Sequence, residues 1–101
     1  PLGPDALFCV HYGNAIEMLL SLKKRGLCVP NALALAAFGE DRLAAVIEPG
    51  LTTFHQHPLE IGRQAALLFL EQIMDAEAFK PRVHQVKGEL LVRASSRRIS
   101  G

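Results

Sequence analysis

Residues 38–66 read FGEDRLAAVIEPGLTTFHQHPLEIGRQAA, and this stretch organises the rest of the chain. It opens where an apolar run stops at Gly39-Glu40-Asp41. Arg42 to Ile47 has Leu43, Val46 and Ile47 at helical spacing, which predicts a short helix, and Pro49-Gly50 breaks it. Leu51 to Gln56 is extended, since Thr52, Thr53 and Phe54 favour strand. His57 then precedes a helix whose first position is Pro58, where a missing N–H costs nothing.

Working outward to the amino-terminal side, Leu33 to Phe38 (LALAAF) and Ala6 to Val10 (ALFCV) are short apolar runs without alternation. That pattern suits strands buried on both faces, as in a parallel sheet. Between them lies a helix ending near Arg25. Its start is open: Asn14 and Glu17 have capping-box spacing, and Tyr12 is an alternative cap. Ala15, Leu19 and Leu22 form one apolar line with Met18 beside it. Ile16 and Leu20 form a second line, which is either further core or an exposed patch for a partner. Lys23, Lys24 and Arg25 suit the negative end of the helix dipole, Gly26 suits the stop, and Pro30 prevents continuation. Strand, helix, strand in this span is a right-handed βαβ unit. Ligands of such sheets bind beyond the carboxyl ends of the strands, here His11-Tyr12 and Gly39-Glu40-Asp41.

On the carboxyl side, the helix from Pro58 extends to about Met74. Gly62, Ala66, Phe69 and Ile73 share a face, and Leu67, Leu68, Phe69 and Leu70 make it apolar around much of its circumference. It needs more protein around it than this chain supplies, so the chain expressed alone is expected to self-associate. Asp75 to Pro81 reads as a surface loop. Val83 to Val86 and Glu89 to Val92 read as two short extended runs around Lys87-Gly88, followed by a polar tail.

The totals exclude several classes. At 101 residues, half of them apolar, the chain fits one small domain. A net charge of +1 leaves no basic footprint for nucleic acid, and Arg93, Arg97 and Arg98 read as a solvated tail. Cys9 and Cys28 lack metal or redox spacing and read as buried free thiols in a reducing compartment. No segment reaches the roughly 18 apolar residues of a membrane span. There is no initiator Met, and the chain reads as a piece of a longer protein.

Catalytic and metal chemistry find little support. His55 and His57 alternate on an extended segment and with His11 suggest a metal, but no third ligand is near in sequence; bonds to backbone or water are the plainer reading. Ser95 and Ser96 have no neighbouring His or acid, and no GxSxG, P-loop or GxGxxG occurs. Glu40 and Asp41 read as a solvated loop rather than an acid–base pair. No enzyme activity and no cofactor is expected.

Taken together, PDALFCV, LKKRGLCVPNALALAAFGED, EPGLTTFHQHPLEIGRQAALLFLEQI and the ending ELLVRASSRR resemble the C-terminal third of the LacI/GalR family of bacterial transcription regulators. The resemblance covers essentially the whole chain. It implies an α/β fold of the periplasmic-binding-protein-like type I, with a parallel sheet flanked by helices and two lobes crossed by three strands. Residues 1–54 and 86–101 would belong to the C-terminal lobe, and 55–85 would pack on the N-terminal lobe. The implied function is cytoplasmic transcription regulation by a small metabolite that binds between the lobes and shifts DNA affinity. Operator DNA would be bound only through an N-terminal domain absent from this chain. A homodimer or tetramer is implied, with no membrane partner, and with Ile16, Leu20 and Ile47 at the dimer interface. The alternative on the same fold is a periplasmic sugar-binding protein of a transport system.

The implied ligand-binding residues are His11, Tyr12, Gly39, Glu40 and Gln56. Here the chain departs from the family. Asn-Asp often follows the first strand, where this sequence has His11 and Tyr12. An Asp often follows the second, where it has Gly39 and then Glu40. The usual ligand carboxylate is missing or moved by one residue, so the effector class is open among sugars, sugar phosphates and nucleobases. Tyr12 would stack on a ring and His11 bond a hydroxyl or phosphate, or both would merely cap the helix and fill its end. Gln56 matches a Gln of the family pattern and reads as a hinge residue with access to the cleft.

Overall fold

The computed structural model describes residues 3–39 and 42–98. Strand β1 (Ala6–Cys9) leads through α1 (Tyr12–Lys24) to β2 (Ala34–Phe38). A short α2 (Arg42–Val46), β3 (Thr52–His55), the long α3 (Pro58–Met74) and β4 (Glu89–Leu91) follow, with a 3-10 turn at Ala94–Ser96. The four strands form one sheet in the order β1-β2-β3-β4. β1, β2 and β3 are parallel, with Cys9 opposite Ala37 and Phe38 opposite Phe54. β4 is antiparallel to β3, pairing Thr53 with Leu91. The unalternating apolar runs are thus the parallel strands, but the expected burial on both faces is not met: β1 buries none of its residues, Phe8 is 58% exposed, and β2 buries only Leu35 and Ala37.

Two compact units share the chain. One holds the described residues up to His55 and those from Glu89 onward; the other is Gln56–Gly88. The core belongs to the first unit. Ala15, Leu19, Leu35, Ala37, Ala44 and Leu51 are buried together, with Leu7, Cys9, Tyr12, Ile16, Met18 and Ile47 packed partly against them. The predicted α1 line of Ala15, Leu19 and Leu22 is the buried one. The helix ends as its sequence dictates: Gly26 takes φ +71, its N–H donates to the Lys23 carbonyl, and the Leu27 N–H reaches back to the Leu22 carbonyl. This pair of bonds satisfies carbonyls that the last turn leaves open.

The start of α1 uses neither Asn14 nor Tyr12 as its cap and agrees with the plainer reading of His11 as a capping residue. The cap is His11, in an extended conformation, with its imidazole Nδ1 accepting the Gly13 N–H at 3.1 Å. An imidazole nitrogen with a free lone pair does the work of the usual Asn or Ser oxygen, so neither Asn14 nor Tyr12 is needed there.

The tail also departs from expectation. Rather than hanging in solvent, Arg93 donates from its guanidinium to the Leu51 carbonyl at 2.7 Å and to Thr53 Oγ1 at 3.3 Å. Ser95 is 0% exposed. Its hydroxyl donates to the Leu35 carbonyl at 2.6 Å and accepts the Thr52 N–H at 2.8 Å. Thr52 Oγ1 lies 2.6 Å from Ser96 Oγ and accepts the Arg93 N–H at 2.8 Å. Arg98 donates to the carbonyls of Pro30 and Asp5. Basic and hydroxyl side chains enter a packed region when backbone groups there still need partners.

In the second unit α3 begins at Pro58 as predicted, and none of its residues is buried. Its shared face is open: Phe69 is 60% exposed, and Leu59 at the start of the helix is 90% exposed. His57, the residue before α3, adopts φ 54 and ψ 61. The left-handed region costs a residue with a Cβ roughly 1–2 kcal/mol. A following proline further disfavours anything but extended backbone. Val83 to Val86, predicted as an extended run, forms no strand; an isolated run has no neighbour to complete a ladder. Cys28 corrects the buried-thiol reading, because it is exposed, while Cys9 is half-buried. No helix among the described residues is long and apolar enough to cross a membrane.

Candidate functional site

Because β1 and β2 are parallel and in register at Cys9 and Ala37, the chain leaves both strands at the same edge of the sheet. There three of the five predicted ligand-binding residues meet. His11 and Tyr12 stack, ring centroids 4.7 Å apart and planes inclined by 24°. Tyr12 in turn lies against Gly39: a Cβ on Gly39 would come within 3.2 Å of Tyr12 Cδ1. Gly39 also has φ +97, a conformation that L side chains rarely adopt, and its N–H is held by the Phe54 carbonyl at 3.0 Å. The glycine that replaces an expected carboxylate therefore makes room for the tyrosine ring. One strand further along, Phe38 and Phe54 stack at 5.5 Å. Sequence reasoning passed over this second aromatic pair, although both members sit near the carboxyl ends of their strands.

The chemistry offered at this edge is ring surface and hydrogen-bond donors. With Nδ1 of His11 engaged by the Gly13 N–H, the ring presents Nε2 outward. Tyr12 is half-buried and anchored, and His11 is exposed over it. Burial pushes the Cys9 thiol, at the end of β1, above its ordinary range, which disfavours the thiolate that would react.

The remaining predicted site residues fall elsewhere. Glu40 lies outside the described residues. Gln56 is half-buried and opens the second unit. Among the proposed interface residues, Leu20 is 56% exposed, whereas Ile16 and Ile47 pack partly on the core. Val46, on the neighbouring turn of α2, is 74% exposed and is the more outward apolar side chain. Among the described residues no group of three or more His, Cys, Asp or Glu is placed to hold a metal ion. The second unit has its own cavity of about 670 Å³ between the end of α3 and the following loop, lined by Leu67, Leu70, Met74 and Phe79 among others. It contains none of the predicted ligand residues, and it continues the uncovered apolar surface of α3.

Comparison with known proteins gives the arrangement its context. A profile described as a periplasmic binding protein-like domain matches residues 2–96. The HTH-type transcriptional repressor PurR of Vibrio campbellii is 32% identical over 97 residues, which cover 96% of this chain and 29% of that protein. The HTH-type transcriptional repressor CytR of Escherichia coli K12 is 36% identical over 97 residues, covering 96% of this chain and 28% of that protein. The solved structure of a LacI-type transcription regulator from Bifidobacterium animalis subsp. lactis superposes with a TM-score of 0.82 at 30% identity, covering 93% of this chain and 33% of that one. The chain thus spans under a third of the length of the curated relatives it matches. It belongs to the periplasmic binding protein-like domain family, in the form found in LacI-type transcriptional regulators.

Proposed function

We propose that this chain is the effector-binding and dimerisation part of a bacterial LacI-type transcriptional regulator, acting in the cytoplasm without catalysing a reaction. The observation that carries the reading is the convergence of His11, Tyr12 and Gly39 at the carboxyl ends of two adjacent parallel strands. That is where an α/β sheet of this type receives a ligand. The matched relatives named as repressors favour a regulator over a transport binding protein.

A small metabolite binds better to one arrangement of the protein than to another and shifts its population. Operator affinity and effector affinity are then coupled reciprocally. DNA contact belongs to a helix-turn-helix domain outside this chain. The first unit is the counterpart of the C-terminal lobe and the second of the segment that packs on the N-terminal lobe; the breaks at His55–Gln56 and Gly88–Glu89 support that division. A homodimer forms through α1 and α2, with Leu20 outermost and Ile16 and Ile47 behind it. The effector is drawn from sugars, sugar phosphates or nucleobases. The aromatic ledge of His11 and Tyr12 favours a ring.

Titration of the intact protein with glucose, glucose 6-phosphate and hypoxanthine, followed by thermal shift, tests the reading. One of them is expected to raise the melting temperature in a saturable way. Gly39→Val, whose side chain displaces Tyr12, is expected to abolish that rise while the protein stays folded. Binding that survives both Gly39→Val and Tyr12→Ala overturns the site.

A further inference from the structure

A groove on the first unit is bounded by the end of α1, the turn that follows it, and the residues just after α2. Its volume is about 390 Å³, and Leu19, Leu27, Val29 and Pro49 give it an apolar lining. Lys23 and Glu48 complete it, a cation from α1 and an anion from beyond α2. Both are exposed, and among the described residues neither takes part in an ion pair. Exposed apolar side chains accompany the two charges. Leu20 precedes Lys23 by three residues on the same helix face, and Leu43 and Val46 precede Glu48 on α2. A surface that meets a second copy of itself across a two-fold axis must carry its own complement, because residue i meets j and j meets i. This surface does so: it joins a hollow to exposed apolar side chains and bears one charge of each sign. A partner charged with a single sign would be repelled by one of the two.

We propose that this groove is one half of a self-complementary dimer contact, in which Lys23 of each copy pairs with Glu48 of the other beside the apolar side chains of Leu20, Leu43 and Val46. This register rests on the homodimer reading above and adds to it how the two copies are aligned. The rim charges select the alignment, and the apolar side chains supply the adhesion.

Sedimentation of the intact natural protein over a range of concentrations, at low salt and without ligand, tests it. Lys23→Glu sets like charges against each other at both symmetry-related pairs, and Glu48→Lys does the same with the opposite sign. Each single variant should dimerise about tenfold more weakly, and the loss should shrink as salt rises. The decisive step mixes the two variants. In a mixed dimer every pair is again of opposite sign, so the mixture should dimerise about as tightly as the natural protein. Pairing within one copy, or damage to the fold, would leave the mixture as weak as its components. A natural dimer whose single variants are unimpaired, or whose mixed variants are no tighter than each alone, overturns the register and leaves the homodimer reading standing. A natural protein that stays monomeric throughout overturns both.

Discussion

Both units of this chain expose apolar side chains, but only the first encloses a buried cluster of them. The first buries Leu35, Leu51, Ala37 and Ala44 almost completely beneath short strands. The second places Leu67, Leu68, Phe69 and Leu70 in an unbroken row on α3 and buries none of them. Hydrophobic content does not separate the two; the availability of a partner surface does. β1, α1, β2 and α2, with Leu51 after them, come from one continuous stretch of sequence and enclose a core within one unit, whereas α3 has no sheet of its own unit to lie on. An apolar helix face is therefore information about what must be adjacent, and it yields stability only when the neighbour is present.

The contrast can be broken in several ways. The largest effect is in association: the 101-residue chain alone should sediment as oligomers or aggregates, and a monomer with a cooperative melt would show that the second unit covers its own surface. Next, Leu35→Ala should destabilise by about 2–5 kcal/mol in denaturant melts, while Leu59→Ser, on a side chain that meets almost nothing, should stay within about 0.5 kcal/mol. Ser95→Ala removes the partner of both the Leu35 carbonyl and the Thr52 N–H and should cost about 1–3 kcal/mol. A smaller loss would mean that water replaces the hydroxyl. His11→Ala should lose about 1 kcal/mol with the cap, and His11→Asn should restore most of it. The smallest effect is kinetic. A thiol reagent at neutral pH should modify exposed Cys28 well before half-buried Cys9. The gap should narrow as pH rises, because burial holds the Cys9 thiol protonated above its ordinary range. The same sign makes any stability that Cys9 contributes present at neutral pH and lost as pH climbs through its raised value.

Much of the frame was legible because it depends on local rules. Continuous apolar runs marked β1 and β2, Thr52 to Phe54 marked β3, and Pro58 marked the start of α3. The candidate site was legible as a position, at the ends of two parallel strands, but not as an arrangement. That Tyr12 leans on Gly39 depends on side-chain reach across the sheet edge, whereas the His11 cap lies two residues from the amide it accepts and was legible as a local alternative. Ser95 was the least accessible to sequence reasoning. A serine flanked by arginines has the look of solvent-exposed tail, and only the position of the Leu35 carbonyl, sixty residues upstream, explains why it is inside. Val83 to Val86 failed for the converse reason, since extended propensity without a neighbouring strand builds nothing.

The Ser95 hydroxyl has a consequence for biosynthesis. Two inner strands keep a carbonyl and an amide waiting for a residue that follows them by 60 and 43 positions in the chain. A nascent chain halted before that serine emerges carries a sheet with an open seam, exposed to chaperones and proteases.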